Sequence, residues 1–210
     1  MPDSGGGCCR CCCSFIFTLG LTALFLWLSL RVSKPKCSLH KFYIPALNHS
    51  LNPRGNTSLI FQLRLENTNK DKGVYYDPVN VTFFDNPTRN HSIGNFTITK
   101  FHQGHKKKAT KGGEISLNSS SGFDQEAVFR AVSNGSAVFR VDMVTSVKYK
   151  IMFWKTKRYK IIVGADVNIT TQGSISDPKK GVRLKSDAAK FGKLGIFWVG
   201  FLFFVLINLL

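Results

Sequence analysis

With 210 residues, six cysteines and a formal net charge of +17, the chain has room for one domain of about 150 residues and its attachments. Five of the six cysteines crowd residues 8–13, which excludes a secreted disulfide scaffold, where an even set would be spread through the domain. A hydrophobic core must therefore hold the fold, and 29 Lys and Arg against 12 Asp and Glu point to a polyanionic contact surface.

In chain order, residues 1–13 form a short tail that is expected to be cytosolic. Cys8, Cys9, Cys11, Cys12 and Cys13 abut an apolar segment, a position that makes them S-acylation candidates. A metal site is disfavoured, because Cys-Cys-x-Cys-Cys-Cys lacks two spaced ligand pairs. Ser14 to Leu30 is uncharged for 17 residues, the short end of the range for a spanning helix. Residues 14–32 are expected to be a transmembrane signal anchor, with Arg31 snorkelling and Trp27 at an interface. A cleaved signal peptide fits less well, because Arg31 and Lys34 intrude where a small-x-small pair belongs. Cys37 stands alone beyond the span, either paired between chains or free.

Orientation is contested within the sequence. Only Arg10 precedes the span while Arg31, Lys34, Lys36 and Lys41 follow it, which by charge bias would leave the domain in the cytosol. Against that stand eight Asn-x-Ser/Thr sequons, at Asn48, Asn56, Asn80, Asn90, Asn95, Asn118, Asn134 and Asn168. The 13 asparagines of the chain would give about two by chance, and all eight lie between the two apolar ends. The sequons are the harder pattern to reach by accident, so residues 37–172 are expected outside the cell, N-glycosylated, at the plasma membrane.

That middle region reads as β. Leu59 to Glu66 ends in strict apolar/polar alternation, and Val79 to Phe84, Phe96 to Phe101, Ala127 to Val132 and Ala137 to Met143 look alike. Ser133-Asn134-Gly135-Ser136 reads as a tight hairpin turn. Val147 to Trp154, Tyr159 to Val163 and Ala165 to Ile169 continue the pattern, and the Tyr75-Tyr76 pair reads as a strand half in the core. Seven or so short strands with frequent turns predict an all-β, two-sheet sandwich. Residues 173–193 read as a basic stalk. Leu194 to Leu210 is an apolar tail with small residues upstream, the layout of a glycolipid-anchor signal with Ser186 or Asp187 as attachment residue. The other reading of the tail is a second transmembrane helix.

Three stretches carry a resemblance: Asn67-Thr-Asn-Lys-Asp-Lys-Gly-Val-Tyr-Tyr-Asp-Pro-Val79, Phe101-His-Gln-Gly-His-Lys-Lys-Lys108 and Phe153-Trp-Lys-Thr-Lys-Arg-Tyr159. With the Cys-rich start and Lys34-Pro-Lys-Cys37, they resemble the plant harpin-induced-like family with its late-embryogenesis-abundant type 2 domain, over nearly the whole chain. The resemblance implies a fibronectin/immunoglobulin-like β-sandwich, a plasma-membrane location, a C-terminal glycolipid anchor and a part in defence signalling by nucleotide-binding leucine-rich-repeat receptors, in the hypersensitive response to bacteria. It also implies a cytosolic immune-regulatory partner at the N-terminal tail. Proteins of this kind have been likened to integrins through an Asn-Gly-Asp motif, but the matching stretch here, Asn168 to Ser174, has none.

No catalytic constellation stands out, and no enzyme activity, cofactor or metal is expected. Asp71, Asp77 and Asp142 have no nucleophile or His at a useful spacing, and on a strand His102 and His105 would not share a face. The Lys-rich Gly104 to Gly113 stretch lacks Walker spacing. What remains is an electrostatic patch of Lys106, Lys107, Lys108, Lys111, Lys155, Lys157, Arg158 and Lys160, suited to acidic cell-wall polysaccharide or lipid headgroups. Nucleic acid is not expected as a partner, since no aromatic-basic stacking motif accompanies the charge. The runner-up function is an adhesion linker between membrane and wall.

Overall fold

The computed structural model describes residues 6–48, 58–117, 130, 134, 137–176 and 180–186. One helix, α1 (Gly6–Leu30), precedes β1 (Lys36–Tyr43), β2 (Ser58–Glu66), β3 (Gly73–Tyr76), β4 (Val79–Phe84) and β5 (Ser92–Ile98). Then come β6 (Phe101–Gln103), β7 (Lys108–Ser116), β8 (Val138–Ile151), β9 (Trp154–Lys155), β10 (Tyr159–Asn168) and β11 (Val182–Arg183). The fold is all-β, as expected.

The first sheet has the order β11-β1-β2-β7 with antiparallel pairing throughout. The second is organised on β8. One flank of β8 carries β4 and β3, which run as a single strand kinked at Asp77-Pro78, and the other flank carries β10 and β9. Proline has no N–H to give a ladder, so the kink is held from β8 instead. Thr145 Oγ1 donates to the Asp77 carbonyl at 3.2 Å, and the Asp77 N–H donates to Ser146 O at 2.9 Å. β5 and β6 form the outer layer against β4 and β3.

Alternation along each strand supplies the core. Phe61, Leu63 and Leu65 of β2 and Val79, Val81 and Phe83 of β4 are buried while their neighbours face outward. The two sheets meet through phenylalanines: Phe61 lies 4.9 Å from Phe83 and 5.2 Å from Phe96, and Phe42 lies 5.5 Å from Phe139, ring centre to ring centre. Gly113 of β7 makes room for this packing, since a Cβ there would strike the Phe96 ring.

Two local expectations need correction, and another lies largely outside the described residues. The stretch Phe96 to Phe101 is two strands, because the chain steps from β4 to β3 at the kink and its partner must step with it. The strand expected at Ala127 to Val132 lies outside the described residues except for Arg130. The Arg130 carbonyl accepts the Asn134 N–H at 3.0 Å, and of the turn expected at Ser133 to Ser136 only Asn134 is among the described residues. Finally, Val182–Arg183 lies in the segment read as a stalk yet pairs with β1.

The apolar side chains of α1, among them Phe15, Phe17, Phe25 and Trp27, are exposed around the helix. Thr18 Oγ1 donates to Phe15 O at 2.9 Å, and Thr22 Oγ1 donates to Leu19 O at 2.9 Å, so both hydroxyls are satisfied within the helix. Among the described residues no helix is long and apolar enough to cross a membrane. The uncharged run of 17 residues rises about 26 Å, against about 30 Å of hydrocarbon.

Candidate functional site

The strand register gathers a set of loops at one end of the domain. Lys36, Glu66 and Lys108 share the terminal row of the first sheet. In the second, Gly73 pairs Lys150 and Lys150 pairs Lys155. The exit from α1, the β2–β3 loop, the β6–β7 loop and the β8–β9 turn therefore lie together, here called the helix end. β11 runs antiparallel to β1, so the chain also heads toward this end as it reaches Ser186.

Buried amides hold these loops. Asn67 is fully buried: its Nδ2 donates to Lys72 O at 2.7 Å and Gly104 O at 3.0 Å, while its Oδ1 accepts from the backbone and side-chain N–H groups of Asn69. Asn69 in turn clasps Ser33 after the helix, accepting its N–H at 2.7 Å and donating to its carbonyl at 2.9 Å. Gln103 Nε2 donates to Leu65 O and Lys107 O, and Gln103 Oε1 accepts from Tyr76 Oη at 2.9 Å. Burial pushes the Tyr76 hydroxyl well above the ordinary phenol range, so it stays a donor. The stretches Asn67–Val79 and Phe101–Lys108 thus act as structural staples, which neither charge nor periodicity had revealed.

The expected polyanion patch divides. Lys106, Lys107 and Lys108 occupy the β6–β7 turn and the start of β7 at the helix end, with Lys108 Nζ 3.9 Å from Glu66. Lys155 lies at the same end and covers the Tyr75 ring at 4.3 Å, where Tyr75 also packs at a tilt against His102. Lys157 is exposed just after β9. Lys111 instead is half-buried and covers the Phe101 ring at 5.2 Å. Arg158 pairs with Asp77 at the strand kink, and Lys160 lies further up β10, opposite Ser146. At Asp71 the Lys72 ammonium, 2.9 Å away, holds the carboxyl below its usual range.

The helix end also carries a feature that composition did not single out. The two-residue β8–β9 turn presents Met152 at 76% and Phe153 at 97% exposure, and Trp154, which opens β9, is 62% exposed. Met152 sits at φ +49°, a conformation that costs a non-glycine residue energy.

The sequons lie elsewhere. Asn80, Asn90, Asn95, Asn134 and Asn168 are exposed and Asn48 is half-buried, while Asn56 and Asn118 lie outside the described residues. Asn80 and Asn95 sit on β4 and β5 in reciprocal register, Asn80 opposite Thr97 and Thr82 opposite Asn95. Asn90 is in the β4–β5 turn and Asn168 ends β10, both at the opposite end of the domain. None of the six is in a helix-end loop.

Cys37 is free and 3% exposed. Burial pushes its thiol up to about 12, from about 9 for an accessible one. Pairing with a second chain would require the domain to open. A thiol whose folded value is raised stabilises the fold fully below pH about 9, and that contribution is lost as pH rises toward about 12. In the folded protein at pH 8, Cys37 should resist iodoacetamide and react only in denaturant; equal labelling in both states would contradict this burial. Cys13 is exposed, the side chains of Cys8, Cys9, Cys11 and Cys12 lie outside the described set, and among the described residues no cluster of three metal-ligating side chains occurs.

A second charged cluster sits on the outward face near the β4–β5 turn. Arg140 donates to Asp142 at 2.7 Å and Asp166 at 3.0 Å, and Arg89 pairs with the same Asp142. Burial works against the Arg140 charge, but the two carboxylates outweigh it and hold its pKa above the ordinary value. The cluster is a structural tie between β8, β10 and the turn.

An all-β domain on an N-terminal apolar helix, its loops stapled by buried amides, describes a class, and comparison with known proteins gives it a family. No family model matches the chain. It is 49% identical over 215 residues to Protein NDR1 of Arabidopsis thaliana, covering 99% of this chain and 94% of that protein. It is 30% identical over 177 residues to NDR1/HIN1-like protein 3 of the same plant, covering 77% of this chain and 73% of that one. The chain belongs to the NDR1/HIN1-like family, a family with a role in plant disease resistance. Among solved structures, a protein from Archaeoglobus fulgidus matches 67% of this chain and 98% of its own at 8% identity and a TM-score of 0.35, a likeness too loose to define the fold type.

Proposed function

We propose that the chain is a non-enzymatic plasma-membrane component of plant disease resistance, its β domain outside the cell and attached to the bilayer at the helix end. The observation that carries this reading is the separation of features along the domain. The exit from α1 and the approach to Ser186 share an end crowded with lysines, while the exposed sequons occupy the outer hairpin and the far end. α1 serves as a signal anchor, with Cys11 to Cys13 extending the 17-residue run and Arg31 snorkelling. S-acylation of the N-terminal cysteines on the cytosolic side, and a glycolipid anchor at Ser186 or Asp187 or a second span over 194–210, would complete the attachment. The sheets take a fibronectin/immunoglobulin-like sandwich arrangement.

The signalling role is with, or downstream of, coiled-coil nucleotide-binding leucine-rich-repeat receptors in the hypersensitive response. An immune-regulatory partner binds the cysteine-bearing segment before the anchor on the cytosolic side, where co-localisation at the membrane strengthens recognition. Adhesion to acidic wall polysaccharide is the second reading, favoured by the net charge of +17, and predicts salt-sensitive retention on polygalacturonate.

The deciding experiment is gel mobility from plant tissue with and without an enzyme that removes plant N-glycans. A drop of several kilodaltons is expected. No shift would put the domain in the cytosol and end both readings.

A further inference from the structure

We propose that the β8–β9 hairpin is a second membrane contact, with Met152, Phe153 and Trp154 wedged into the headgroup–acyl boundary of the bilayer that α1 enters. This rests on the anchoring of α1 proposed above and adds a contact made by the folded domain.

Four observations converge on it. Three consecutive large apolar side chains are exposed at the hairpin tip, and beyond α1 the other exposed large apolar residues among those described are Tyr159 and Ile162 of the neighbouring β10. Register fixes where the tip points. Lys150 opposes Gly73 at the start of β3, four residues after the Asn69 that clasps Ser33, so the tip continues past the sheet on the side where the helix leaves. The exposed cations Lys34, Lys36, Lys106, Lys107, Lys150 and Lys155 share that end. Finally, Met152 holds a left-handed conformation at φ +49°, where glycine would sit without strain, so the turn keeps a bulky apolar residue at a conformational cost.

A bilayer answers all of these together. Headgroup phosphates meet the lysines, the interface suits the indole of Trp154, and acyl chains take Phe153. Acidic polysaccharide would satisfy the cations and leave Phe153 in water. The described sequons are absent from the helix-end loops, so glycans at those positions would not obstruct close approach.

The test uses the full-length chain carrying p-benzoylphenylalanine at position 153, or at exposed position 88 in the β4–β5 turn as control. Each protein is reconstituted into phosphatidylcholine vesicles with and without phosphatidylserine, washed with alkaline carbonate, irradiated and analysed by mass spectrometry. Retention after the wash is expected, with phospholipid adducts at 153, more of them with phosphatidylserine, and none at 88. Lys106→Glu with Lys107→Glu should abolish the phosphatidylserine increment. A chain that resists carbonate but shows no lipid adduct at 153, or an adduct to protein instead, overturns the hairpin contact and leaves the anchor standing. Release by carbonate overturns the anchor and the hairpin contact with it.

Discussion

Replacing Asn67 by alanine should cost about 3 kcal/mol of stability and lower the melting temperature of the detergent-solubilised protein by roughly 10 °C. The side chain is 0% exposed, and each of its polar atoms carries two hydrogen bonds. Alanine would strand the Lys72 and Gly104 carbonyls and two N–H groups of Asn69 where water cannot easily replace the lost partner. The damage should be local in its first effect. Asn69 would lose the acceptor that fixes it, and with it the grip on Ser33, so amides of 67–72 and 104–107 should exchange faster than the β8–β10 ladder. Asn67→Asp is the informative companion: it keeps the acceptor, removes both donors and buries a charge, and should be at least as damaging. A melting temperature within about 2 °C of the parent for either variant would show that the loops stand without the staple.

Phe61→Ala should cost about 4 kcal/mol, in the range for a large ring removed from a closed core. Phe61 is 1% exposed and faces Phe83 and Phe96 across the gap between the sheets. Collapse into the space is restricted, because Phe83 also packs on Phe42 at 6.1 Å and Phe96 is pressed onto Gly113. Phe61→Leu should lose markedly less, since it leaves a smaller void. Chemical denaturation of the two variants checks the order, and equal losses would mean that the cavity closes.

Much of the β pattern could be read in advance because it rests on alternation. Leu59 to Glu66 and Val79 to Phe84 alternate because one side faces a core, and both are strands. β7 was not legible: its residues, Lys108 to Ser116, include two glycines and two lysines, and only partner strands explain them. Gly112 runs against the Phe61 carbonyl and Gly113 under the Phe96 ring, contacts that depend on residues about 50 and 17 positions away in the chain. The Phe96 to Phe101 stretch misled for a related reason, since the break in it copies the Asp77-Pro78 kink of its partner.

The candidate site divides along the same line. Its cations were countable, but Lys111 and Arg158 proved to be occupied by Phe101 and Asp77. The Met152–Trp154 tip read as ordinary strand, because alternation cannot show that a strand has turned back on itself in two residues.

The sequence by itself determined the all-β class, the apolar ends, the sequon-bearing middle and the family, since these are properties of residue type and local order. Tertiary structure alone decided which features share an end. Antiparallel register sets Lys150 beside Gly73, brings β11 back along β1, and clasps Ser33 to Asn69 across 36 positions of chain. Periodicity fixes which face a residue occupies. Only pairing with a distant strand fixes its height along the sheet, and here that height separates the lysines and the apolar tip from the exposed sequons.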